Sequence, residues 1–111
     1  MANAGILGSC ITAAANTWQT VYTVPSTGVK FTHGTIHAYN PNTAAVTFGL
    51  AGTFGATPST FLEGMSAIPG NGGVYTRSCL TFSPNEKIMV RSSQAGVHFE
   101  FRGIEQESAA A

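Results

Sequence analysis

The stretch VKFTHGTIHAYNPNTAAVTFGL, residues 29–50, decides how the whole chain is read. It carries two of the three histidines, His33 and His37, four positions apart. On a helix that spacing would make them neighbours. On a strand it puts them on one face about 13 Å apart, too far for a single metal ion whose ligands must each approach to about 2 Å. Phe31, Thr32, Thr35, Ile36 and Tyr39 favour the strand, because β-branched and aromatic side chains fit a pleated surface. The segment therefore predicts a strand over 29–39, a turn at Asn40-Pro41-Asn42 and a return strand over 43–50 with Val46, Phe48 and Leu50 on one face. It reads as a hairpin whose histidines are polar residues on a sheet face.

Working outward, short alternating runs separated by Gly, Pro and Asn recur, and helix-period segments do not. WQTVYTV (18–24) reads as a strand followed by the turn PSTG. GVYTRSCLTF (73–82) alternates without declaring which face is apolar. KIMVRSS (87–93) sets Ile88 and Val90 together, and VHFEFRGIE (97–105) points Val97, Phe99 and Phe101 inward and His98, Glu100 and Arg102 outward. Residues 52–73 are Gly-rich and read as a long or irregular connection with weak strand candidates at STFLEG and MSAI. With a strand or arm near Ile6–Thr12, the count is seven or eight strands. The expectation is an all-β fold, an antiparallel two-sheet β-sandwich of jelly-roll type with an N-terminal arm or edge strand. Residues 1–17 form the arm or first strand, 18–105 the sandwich, and 106–111 a flexible C-terminal tail.

Charged residues are 9% of the 111, against about 25% in a typical soluble domain. The formal net charge is zero, a condition that favours association. Five scattered basic residues form no patch for phosphate, which excludes nucleic acid as a partner. No run approaches the apolar length of a membrane span, and the start of the chain lacks the basic region of a secretory signal, so a soluble protein is expected. Cys10 and Cys79 have no metal or redox spacing; a bridge between them requires the fold to bring their Cα atoms within about 7 Å, and without it they read as free, buried thiols.

The chain contains no aspartate, so a Ser-His-Asp triad is unavailable. Its carboxylates are Glu63 and Glu86 near turns, Glu100 on an outward face, and Glu105 and Glu107 at the terminus. None pairs with another in a way that nominates acid-base chemistry. GNGG (70–73) lacks the Lys-Ser/Thr and the helix of a phosphate loop and reads as a turn. No enzyme, cofactor or metal site is expected. Trp18, Tyr22, Tyr39 and Tyr75 suit either packing or a sugar-binding platform. In the N-terminal segment Ile6, Leu7 and Ile11 are the candidate anchors on a neighbouring subunit, with Trp18 as a further interface residue.

Two stretches carry a resemblance. TVYTVPSTGVKFTHGTIHAYNPNTAAVTFGLAG (20–52) resembles the opening of small tailed-bacteriophage virion proteins, with a Tyr-Thr-Val-Pro turn at 22–25, an Ile-x-x-x-Asn strand at 36–40 and a Thr/Val-rich return strand at 43–50. KIMVRSSQAGVHFEFRGIE (87–105) is similar to that family's closing pair of strands, and Pro84-Asn85-Glu86 departs from the Gly-Asp turn often found there. The resemblance implies a structural virion protein, a capsid decoration or cement protein stabilising the phage head by bridging major capsid subunits. It would sit on the capsid exterior after assembly in the host cytoplasm, with the major capsid protein or other virion subunits as partners and as a homo-oligomer, trimer or dimer. The alternatives are a phage neck or tail component, or a carbohydrate- or receptor-binding β-sandwich module.

Overall fold

The computed structural model describes residues 4–55, Pro58 and residues 60–107, with side chains for all of these except residues 60–65. Eight strands follow in order: β1 (Ala4–Ile11), β2 (Gln19–Thr23), β3 (Val29–Asn40), β4 (Val46–Thr53), β5 (Thr60–Ile68), β6 (Gly73–Phe82), β7 (Lys87–Ser92) and β8 (His98–Glu107). They make two four-stranded antiparallel sheets, ordered β1-β8-β3-β6 and β2-β7-β4-β5. No helix among the described residues is long and apolar enough to cross a membrane.

Only the β4–β5 connection stays within a sheet; every other link crosses to the facing one. The hairpin expected at 29–50 is therefore not a hairpin. β3 pairs with β8 and β6, and β4 with β7 and β5. The reason is visible at Asn40, which is fully buried. Its amide donates to the carbonyls of Ala44, Ile68 and Pro69 at 3.0, 3.3 and 3.1 Å, and its Oδ1 accepts from the Asn42 backbone at 3.0 Å. The side chain fills an arch between sheets where a tight turn would have kept the chain in one. Within the stretch 52–73, read as a long or irregular connection, the two weak strand candidates form one continuous strand, β5, with Glu63 in mid-strand opposite Leu50 rather than near a turn.

The core lies between the sheets. Ile36, Ala38, Phe99 and Phe101 come from one side, and Val46, Phe48, Leu50, Ile88 and Val90 from the other. Phe48 packs against Tyr75 and Phe99 with ring centroids 4.6 and 6.0 Å apart, and Phe101 against Tyr22 and Phe82 at 5.4 and 5.8 Å. Each fully buried phenylalanine contributes roughly 1.5–3 kcal/mol by leaving water.

Bulges decide which side chains join that core. On β6, Gly34 pairs with Leu80 but Ile36 with Arg77, so one extra residue sits on β6, where Cys79 adopts φ 62°. Val74 and Thr76 consequently face outward while Leu80 and Phe82, of the same parity, face inward. This is why alternation in 73–82 named no inner face. A bulge in β2 between Thr20 and Tyr22 similarly buries both Val21 and Tyr22.

β1 is a full member of its sheet, paired with β8 from Ala4 to Ile11. It passes so close to β2 that a Cβ on Gly8 would lie 2.3 Å from the Val21 carbonyl oxygen. Just beyond it Thr12 is buried, accepting from Val97 N and from the Ser92 hydroxyl, each at 3.0 Å. Removing residues 1–17 would therefore open the sandwich. At the other end, β8 runs on to Glu107, so Gln106 and Glu107 belong to a strand rather than to a tail; residues 108–111 lie outside the described ones. Glu105 is not a terminal surface carboxylate but 7% exposed, facing inward. Tyr22 donates its hydroxyl to Glu105 Oε2. With that proton committed, the buried Thr32 hydroxyl is the donor in its 3.1 Å contact with the Tyr22 oxygen. Three strands and both sheets meet in this cluster.

Burial, and after it the hydrogen bond to Glu105, push the Tyr22 phenol up to about 12. The folded state thus prefers the neutral phenol. Its contribution is complete below the ordinary tyrosine value of about 10 and is lost as pH rises through 12. Urea denaturation should show stability falling between pH 10 and 12, and Tyr22→Phe should be less stable at neutral pH yet flatter across that window. An equally steep fall in the variant would remove Tyr22 from the explanation. Asn40→Ala leaves buried carbonyls without their donor and should cost about 2 kcal/mol in the same measurement; a loss below about 0.5 would contradict the arch.

Candidate functional site

The outer face of the β1-β8-β3-β6 sheet gathers residues that the sequence scatters. Register lays them out in rungs across the strands. Ile11, His98, Tyr39 and Val74 share the first; Ser9, Glu100, His37 and Thr76 the second; Ile6, Arg102 and Thr35 the third; Ala4, Ile104, His33 and Thr81 the fourth. All three histidines thus stand on one face, as the strand reading required for His33 and His37 and the outward parity for His98.

Of the six large apolar side chains exposed among the described residues, five lie here: Ile6, Ile11, Tyr39, Val74 and Ile104. Val74, at 67%, is the most exposed. A small domain normally dresses such a face with Lys and Glu. On these four rungs it instead carries one ion pair, Arg102 Nε donating to Glu100, both partly exposed. Two of the three histidines are hydrogen-bonded across strands: His33 Nδ1 with the Thr81 hydroxyl at 2.8 Å, and His37 Nδ1 with that of Thr76 at 3.3 Å. His98 meets the Tyr39 ring edge-on, centroids 5.9 Å apart.

A shallow groove of about 310 Å³ runs along this face beside His37, Tyr39, Val74, His98 and Glu100. Thr76 and His37 place a hydroxyl against an imidazole there, but Glu100, opposite His37, is engaged by Arg102 rather than turned to orient the ring. Among the described residues no group of three or more His, Cys, Asp or Glu side chains could hold a metal ion. The arrangement can bind by contact area and by neutral hydrogen bonds.

The candidate anchors divide. Ile6 and Ile11 are five apart and would take opposite faces of a regular strand, yet a bulge between Ile6 and Gly8 brings both to the outer face, each 55% exposed. Leu7 is turned the other way, half-buried against the core. Trp18 belongs to neither group; it precedes β2 and stacks under the Arg91 guanidinium, 5.3 Å from the ring centroid. Missed by sequence reasoning were Tyr39, Val74 and Ile104 as members of one surface with Ile6 and Ile11. Outward parity on VHFEFRGIE could have found Ile104; Val74 lay beyond reach because of the β6 bulge.

Cys10 is half-buried and Cys79 exposed, both free, so the expectation of two buried thiols fails at Cys79. They occupy opposite edge strands of the sheet, which lie roughly 14 Å apart across three strand spacings, and Cys10 is level with Tyr75 rather than with Cys79. Burial raises the Cys10 thiol above its ordinary value.

Glu86 caps the turn before β7, its Oε1 accepting from Ser83 N at 2.9 Å, which agrees with a turn-capping role for that carboxylate.

Compared with models of protein families and with curated proteins, the chain matches none.

The bulge predicts opposite behaviour for adjacent anchors. Leu7→Ala should lower stability by about 2 kcal/mol, as truncation in a core does, whereas Ile11→Ala should change it by less than about 0.5. Thermal or urea melts of the two variants check this, and equal losses would mean that β1 is not kinked as described.

Proposed function

We propose that this chain is a structural virion protein, a capsid decoration or cement protein on the particle exterior that stabilises the phage head by bridging major capsid subunits. The observation that carries the reading is the outer face of the first sheet, where five exposed apolar side chains and uncharged polar groups surround a single ion pair. Such a surface gains free energy when protein covers it. Contacts made only in the assembled shell stabilise that state by mass action. The strand orders β1-β8-β3-β6 and β2-β7-β4-β5, with six of seven links crossing between sheets, support a jelly-roll arrangement, an architecture that capsid proteins and lectins both use. The resemblance of residues 20–52 and 87–105 to small tailed-phage virion proteins supports the capsid reading.

The groove beside Tyr39 favours one other reading, a carbohydrate-binding module, since an aromatic ring edged by histidines offers a sugar both stacking and hydrogen bonds. The deciding experiment adds the purified chain to phage heads that lack it and follows co-sedimentation and the temperature at which heads release DNA. Saturable binding with a higher release temperature is the expected result. Label found on neck or tail by electron microscopy would move the protein to that part of the particle. No binding to any part of it, together with glycan binding abolished by Tyr39→Ala, would replace the proposal.

A further inference from the structure

The outer face of the β1-β8-β3-β6 sheet has a charge pattern complementary to itself, and we infer that two copies of this chain pack through it, face to face, about a two-fold axis. The inference rests on the assembly reading above and names the partner that covers the face. In an isologous contact residue i of one copy meets j of the other, and j meets i. Glu100 and Arg102 are successive outward residues of β8 and occupy the two middle rungs of the four. A two-fold axis running across the strands between those rungs lays β8 on its own copy in antiparallel sense. Glu100 then stands over Arg102 of the second molecule, and Arg102 over Glu100. Each copy's internal ion pair becomes half of a four-membered cluster with no like charges opposed.

The rest of the face obeys the same operation. The first rung exchanges with the fourth, so Tyr39 is laid over His33, His98 over Ile104, and Ile11 over Ala4. The second exchanges with the third, so His37 is laid over Thr35 and Ser9 over Ile6. Apolar groups meet apolar or uncharged ones throughout. An axis along the strands would instead set Glu100 over His37 and lose the reciprocal ion pairs, which selects the transverse axis.

Four strands about 4.8 Å apart, overlapping across the four rungs for about eight residues each, present roughly 500 Å² per copy, or about 1,000 Å² in total, the threshold of a specific interface. Two sheets stacked in this way follow the aligned packing that sandwich sheets use inside a domain.

Sedimentation velocity on the full chain at neutral pH and low salt tests this. The parent should be dimeric. Glu100→Arg alone, or Arg102→Glu alone, sets like charges over one another and should raise the dimer dissociation constant about tenfold or more. Both positions are at the surface, so circular dichroism should show the sheet unchanged in each variant. The two single variants mixed in equal amounts should dimerise again, because each supplies the charges the other lacks, and the double variant E100R/R102E should dimerise alone. Loss in the single variants without rescue in the mixture overturns the two-fold arrangement. A dimer that none of these changes weakens overturns the face while leaving the assembly reading intact. A parent chain that stays monomeric at high concentration overturns the dimer, and head binding then judges the assembly reading by itself.

Discussion

The packing of Phe99 and Phe101 against Phe48 and Tyr22 is the contact on which the remainder of the molecule depends. β8 lies between β1 and β3 in its sheet, and these two rings reach across to the facing sheet with centroids 6.0 and 5.4 Å from their partners. Loss of either ring would leave a cavity of the kind that costs about 3–5 kcal/mol. The same strand, by strict alternation, turns His98, Glu100, Arg102 and Ile104 outward. Core and candidate surface are thus two sides of one strand, and whatever holds the first in register also spaces the second.

Register is held by polar groups as much as by apolar ones. Tyr22, Thr32 and Glu105 join β2, β3 and β8 at one end of the interior, while Thr12 with Ser92 and Asn40 with its three carbonyls close the other. Buried polar groups that are fully satisfied specify a single arrangement, because any shifted alternative leaves donors or acceptors stranded. A sheet sandwich with this little surface charge has many ways to slip or to pair at its edges. These clusters, with the close approach of β1 to β2 at Gly8, limit them.

The bulges connect fold to surface. In β1 one brings Ile6 and Ile11 to the same side while sending Leu7 inward, and in β6 another frees Val74 to face outward above an inward Leu80 and Phe82. Without those single-residue insertions the exposed apolar groups would be divided between core and solvent. With them they form one face, sparse in charge and balanced about its centre.

Much of this was legible in the residues themselves. Strand type, the outward histidines and the inward sides of β4 and β8 follow from β-branched and aromatic alternation, which is a local property. The low charge and the missing aspartate were likewise read directly from composition. Tertiary structure alone decided that 29–50 is an arch rather than a hairpin, that Glu105 is interior, which side of 73–82 is apolar, and that Ile6, Ile11, Tyr39, Val74 and Ile104 share a surface. The reason is that, outside the β4–β5 pair, pairing partners in this fold lie tens of residues apart, and a one-residue bulge reverses every side chain beyond it. Alternation along a chain says that a strand has two faces; only the strands laid beside it and over it determine which one is covered.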